Sequence, residues 1–169
     1  MNGTAKTPLL IALLMLAPQV QAEEQLVKHA RNAGITACLS TIADLEQFFG
    51  AGNNYGSWST WASDKADDQI FNSAMEITFS DGVHLIDLTV APTKDGHCSY
   101  AYTRTWSAEQ NCMAVSRQDF MKGASYKTEL NANVAAFEDG TARLFLMPSG
   151  NSCVLQKKEV GIRHKRQGE

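Results

Sequence analysis

The sequence predicts an α+β fold: an N-terminal helix packed on an antiparallel β-meander of about six or seven strands, with a short helix inserted between strands and two disulfides. Three observations predict it. Apolar residues recur at spacings of three and four only near the N-terminus, the period shortens to two after residue 56, and turn-forming residues then punctuate the chain at fairly regular intervals.

Residues 23 to 49 are helical in character, in one piece or in two hinged at Gly34. Leu39, Ile42, Leu45 and Phe49 share one face, Thr41-Ile42-Ala43-Asp44 resembles a capping box, and 51 to 56 (Ala-Gly-Asn-Asn-Tyr-Gly) ends the helix with residues that accept a left-handed backbone. Extended runs follow at 57–62, 73–79, 83–91, 98–106, 126–137, 141–147 and 152–160. Their connectors, Ser80-Asp81-Gly82, Thr93-Lys94-Asp95-Gly96, Glu138-Asp139-Gly140 and Pro148-Ser149-Gly150-Asn151, are hairpin signals, because Asp, Asn and Gly tolerate tight-turn geometry. The stretch 107–122 breaks the strand pattern and predicts a short helix around 110–121; no internal repeat is evident.

Residues 1–22 read as a cleaved secretory signal. Lys6 sits in a short polar region, an apolar run extends from Leu9 to Ala17, and Val20 and Ala22 fit cleavage before Glu23. The run is too short to span a bilayer, so the mature form is expected to insert in no membrane. The expected organisation is a signal at 1–22, a single domain over 23–160 and a basic, disordered tail at 161–169. Without the signal, 14 Lys and Arg face 18 Asp and Glu, a net charge of −4, which argues against nucleic acid as a partner.

Cys38, Cys98, Cys112 and Cys153 are even in number and form no C-x-x-C pair, so an exported chain is expected to hold two disulfides. Three connectivities are possible. The preferred one joins Cys98 to Cys112 across a short insertion, and Cys38 to Cys153 between the N-terminal helix and the last strand.

Catalytic signatures are absent: there is no G-x-S-x-G elbow, no H-E-x-x-H, no phosphate loop and no dinucleotide fingerprint. Asp81, His84 and Asp87 look like metal ligands or an acid–base pair, yet in a strand residues three apart point to opposite faces. Asp95 and His97 lie in a turn. No catalytic residue, metal or cofactor is therefore assigned. Tyr100, Tyr102, Arg104 and Trp106 share one side of their strand, an aromatic face expected to cover a core.

Two segments stand out as contacts. Trp58 and Trp61 are large anchors among small polar residues, suited to a protein or glycan partner or to an edge strand that folds them inward. Ser149, Gly150 and Asn151 form a hairpin tip that a bonded Cys153 would stiffen. This Ser149-Gly150 loop resembles that of the periplasmic lysozyme inhibitors, small exported β-rich proteins that bind through a Ser-Gly-containing loop; the likeness covers those two residues and the general architecture, without the fuller motif. The expectation is an exported, periplasmic or secreted binding protein, an inhibitor or immunity protein that blocks a toxin or cell-wall hydrolase. A small envelope hydrolase using His84, His97, Asp87 or Asp95, and a structural accessory of a secretion or conjugation apparatus, are the alternatives.

Overall fold

The computed structural model describes residues 24–164. The proposed signal lies outside them, as do residues 165–169 of the proposed tail. Two helices open the described chain, α1 (Gln25–Asn32) and α2 (Leu39–Gly50), and Gly34, with φ 79°, makes the hinge between them. Eight strands follow: β1 (Tyr55–Trp61), β2 (Phe71–Phe79), β3 (Gly82–Pro92), β4 (Cys98–Ala108), β5 (Ser125–Leu130), β6 (Val134–Asp139), β7 (Ala142–Ser149) and β8 (Ser152–Arg163). Between β4 and β5 the expected helix is one turn, α3 (Cys112–Val115), and a 3₁₀ turn at Asp119–Met121.

The α+β class holds, with two corrections to its detail. The run 126–137 is two strands, because Asn131 and Ala132 take positive φ (58° and 97°) and turn the chain back on itself. Residues 161–163, assigned to a disordered tail, complete β8, where Arg163 forms an ion pair with Asp44 of α2 at 3.3 Å.

The strands form one antiparallel sheet in the order β1-β2-β3-β4-β8-β7-β6-β5. It is two four-stranded meanders joined at their last strands. Each half runs helix, then four strands, and each ties its helix start to the beginning of its final strand, by Cys38–Cys98 and by Cys112–Cys153. At the seam Thr103 pairs with Lys158, each five residues beyond its strand's cysteine (103 − 98 and 158 − 153), so the halves are related by an approximate twofold through that pair. The repetition lies in element order and disulfides; in sequence it survives chiefly as Phe79-Ser80-Asp81-Gly82 against Phe137-Glu138-Asp139-Gly140.

This topology overturns the preferred cysteine pairing. Cys98 starts β4 and Cys112 lies beyond its far end, so an extended strand of about 33 Å separates them, whereas bridged Cα atoms stand near 5–6 Å. The observed Cα–Cα distances are 5.8 Å for Cys38–Cys98 and 4.9 Å for Cys112–Cys153.

The described helices all lie on one face of the sheet. On that front face α1 and α2 bury Leu26, Val27, Ala30, Ile42, Leu45 and Phe49 against Phe71, Met75, Ile77, Ile86, Leu88, Val90 and Tyr102. At the other end of the same face, α3 and the 3₁₀ turn bury Val115 and Met121 against Leu144, Leu146 and Leu155. Among the described residues the back face carries no helix, and Trp58, Val83, Leu85, Met147, Val160 and Ile162 stand exposed on it. Side chains of β4 sort as expected: Tyr102 is buried, Tyr100 packs against the first core and Trp106 against the second.

One buried charge locks the helix pair to the sheet. Glu46 sits on the apolar face of α2, and its carboxylate accepts the Leu26 and Val27 amides at 2.8 and 3.0 Å and the Tyr55 hydroxyl at 2.6 Å. It thus satisfies first-turn N–H groups of α1, which lacks a side-chain cap of its own. Burial, with Glu46 beside it, pushes the Tyr55 phenol far above its usual pKa.

Candidate functional site

Trp58 and Trp61 lie on β1, an edge of the sheet, and neither is folded into a core. Trp58 points to the bare back face and is 78% exposed; Trp61, on the helix side, is 41% exposed. The strand itself, Tyr-Gly-Ser-Trp-Ser-Thr-Trp, has no charge and no proline, and it keeps an unbroken register with β2. Its inner side is held by α1: Gln25 donates to the Tyr55 carbonyl at 2.9 Å and accepts from the Ser57 hydroxyl at 2.9 Å, and His29 Nδ1 lies 2.8 Å from Ser59 Oγ. The opposite edge, β5, is built differently. It is broken by a register shift between Tyr126 and Thr128 and bears Lys127 and Glu129, the devices by which sheets discourage pairing at an edge.

Ser149, Gly150 and Asn151 form the exposed β7–β8 turn, and the Cys112–Cys153 bond fastens its base to α3. Three strands separate β1 from β8, about 19 Å across the sheet, so the two expected contact segments are not one patch.

The structure assembles a third group, at the seam between the halves, that sequence reading touched only in part. His84 on β3 is fully buried. Its ring stacks on Trp106 (5.2 Å, 8° between planes) and meets Phe79 edge-on at 4.8 Å. Arg104 Nε donates to His84 Nδ1 at 2.7 Å, which leaves the ring proton on Nε2, 3.1 Å from Asp81 Oδ1. The guanidinium carbon lies 4.6 Å from the Phe79 centroid and 5.2 Å from that of Trp106. Burial, then the Arg104 charge, hold the His84 pKa below its usual value, Asp81 opposing them, so the ring is neutral near pH 7. With both nitrogens engaged and no exposed surface, His84 serves here as a support for Arg104.

Lys157 of β8 is directly opposite Arg104 on the same face, with Asp139 at 3.8 Å. One pair along, the Tyr102 hydroxyl donates to Glu159 at 2.7 Å, and Thr141 donates to its other carboxylate oxygen at 3.1 Å. Burial, followed by the bond to Glu159, raises the Tyr102 pKa. Asp87, as the strand period requires, faces away from His84 and instead accepts from Asn72 at 3.1 Å. Asp95 reaches His97 only at 4.0 Å, in the turn between β3 and β4.

Among the described residues no set of three or more His, Cys, Asp and Glu side chains is grouped to hold a metal ion, and no helix is long and apolar enough to cross a membrane. The two disulfides suit an oxidising compartment outside the cytoplasm. No family model matches the chain, and neither a curated protein nor a solved structure matches it.

Proposed function

We propose that this is an exported binding protein, periplasmic or secreted, that captures another protein along the β1 edge with Trp58 as its anchor, and that the captured protein is a toxin or cell-wall hydrolase held inactive. The observation that carries the reading is the pairing of an uncharged, regular edge strand with a tryptophan 78% exposed upon it. Such an edge offers a row of unpaired backbone groups to an incoming strand, and a rigid aromatic beside it supplies apolar area at small entropic cost. The contrast with the guarded β5 edge supports a retained use for β1. The stiffened turn at Ser149, Gly150 and Asn151 is a second, separate contact.

The test is affinity capture from envelope and secreted fractions with the oxidised domain, identification of what is retained, and assay of its activity with and without the domain. A stoichiometric partner that loses its activity is expected, and Trp58→Ala should weaken its binding by about thirtyfold or more, as a central aromatic anchor does. Capture and silencing that survive Trp58→Ala and Trp61→Ala unchanged would remove β1 as the contact. Failure of any hydrolase or toxin to be silenced would remove the inhibitory role.

A further inference from the structure

We infer that Arg104 is a receptor for a carboxylate group, seated on the front face at the seam and independent of the β1 edge. A partly buried cation in a folded protein is ordinarily paired, because taking it from water without an anion is costly. Among the described residues, Arg104 has no carboxylate within ion-pair distance. The acids around it are engaged elsewhere: Asp81 with His84, Glu159 with Tyr102 and Thr141, and Asp139 with Lys157. Asp81 acts on Arg104 only through space.

The guanidinium is also fixed in direction. Contact with Phe79 and Trp106 sets its position against two ring faces, and the bond from Nε to His84 stops it turning about its own axis. That leaves the two terminal nitrogens as a fork with no acceptor of their own, and among the described residues no buried side-chain nitrogen or oxygen lacks a partner, so the fork reaches solvent. A fork presented end-on at a fixed angle matches the two oxygens of a carboxylate. Lys157 adds a second reason. It occupies the position directly opposite Arg104 on the adjacent strand and the same face, with Asp139 on its own ammonium at 3.8 Å, so an anion on the Arg104 fork would have a second cation beside it.

The carboxylate has two sources, a free small acid or an acidic side chain of a bound protein, and the experiment separates them. The Arg104 Nε–H and Trp106 indole resonances of the folded, oxidised domain are followed by NMR at constant ionic strength while chloride is exchanged for acetate, for malonate, or for a blocked peptide containing glutamate. Saturable movement of both resonances with a midpoint below about 10 mM is expected. Saturation by acetate or malonate assigns a free acid, and saturation by the peptide alone assigns a partner's side chain. Arg104→Lys, which keeps the charge and loses the fork, should weaken the midpoint at least about tenfold, and Lys157→Gln by less. Movement that stays linear for all three probes in the unaltered protein overturns the assignment, whatever the variants do. Equal affinity in Arg104→Lys overturns the bidentate fork.

Discussion

The two halves of the sheet share a plan and differ in how they are held. The first half has helices of eight and twelve residues over β1–β4, and a continuous front core running from Leu26 to Tyr102. Its counterpart has a single helical turn over β5–β8, with Val115 and Met121 reaching into a smaller cluster. The edges differ in the opposite sense, since the well-covered half ends in the unguarded β1 and the thinly covered half in the bulged, charged β5. Both halves carry a covalent clamp, so what separates them is helical burial, and the half with the larger core is the one that leaves an edge open.

The largest effect should come from the disulfides. Their spans, 60 and 41 residues, predict nearly equal chain-entropy contributions of about 4 kcal/mol each. If packing separates the halves, replacing Cys38 and Cys98 by Ala should lower global stability in urea while α2 keeps its amide protection. Replacing Cys112 and Cys153 should in addition expose amides 112–121 to free exchange, because little burial remains to hold that turn. Identical exchange patterns in the two variants would break the comparison.

Helix capping sharpens it at a smaller scale. Glu46→Ala removes a buried acceptor from two amides and a phenol, with an expected loss of about 2–3 kcal/mol. Asn111, whose side chain caps α3 by accepting from the Ala114 amide at 2.9 Å, should cost about 1 kcal/mol when changed to Ala. Equal losses in denaturant titrations would mean that α1 and α3 matter alike.

The smallest effect is in pH. His84 lies three residues beyond Asp81, where the second half has Ala142 three beyond Asp139. Because the folded-state pKa of His84 lies below the unfolded value of about 6.5, the unfolded chain binds more protons between the two. Stability from neutral His84 is therefore full above pH about 6.5 and is lost as pH falls toward the folded pKa, by at most about 1.4 kcal/mol per pH unit. Thermal melting between pH 7.5 and 5 should show this slope in the native protein and lose it in His84→Gln; an unchanged slope in that variant would remove His84 as its source.

Much of the local structure is legible in the sequence because it has local causes. The Asp-Gly turns, the Gly34 hinge and the alternation of Tyr100, Tyr102, Arg104 and Trp106 follow from backbone preference and a period of two. The turn at Asn131-Ala132-Asn133 is hidden because it uses no glycine, and the flanking residues read as one extended run. Disulfide pairing was beyond reach for another reason: Cys112–Cys153 depends on β4 lying beside β8, a contact between residues about 55 apart, and Cys38–Cys98 on α2 docking over the start of β4, and no periodicity encodes either. Glu46 did leave a signal, a carboxylate in register with Ile42, Leu45 and Phe49 on an apolar helix face, and that misfit marks its buried role. At the seam, His84 and Arg104 were each visible, but their contact required the register of β3 on β4.

The cysteines join in the order in which they occur, first to second and third to fourth. For a chain that emerges from its N-terminus onward, this ordering means that each thiol finds its proper partner as the nearest one already present. Cys98 can close on Cys38 before Cys112 appears, and the last pair then has no competitor. Oxidation can therefore keep pace with emergence without passing through a wrong bond that must later be exchanged, even though the strand that completes the middle of the sheet, β8, is the last to arrive.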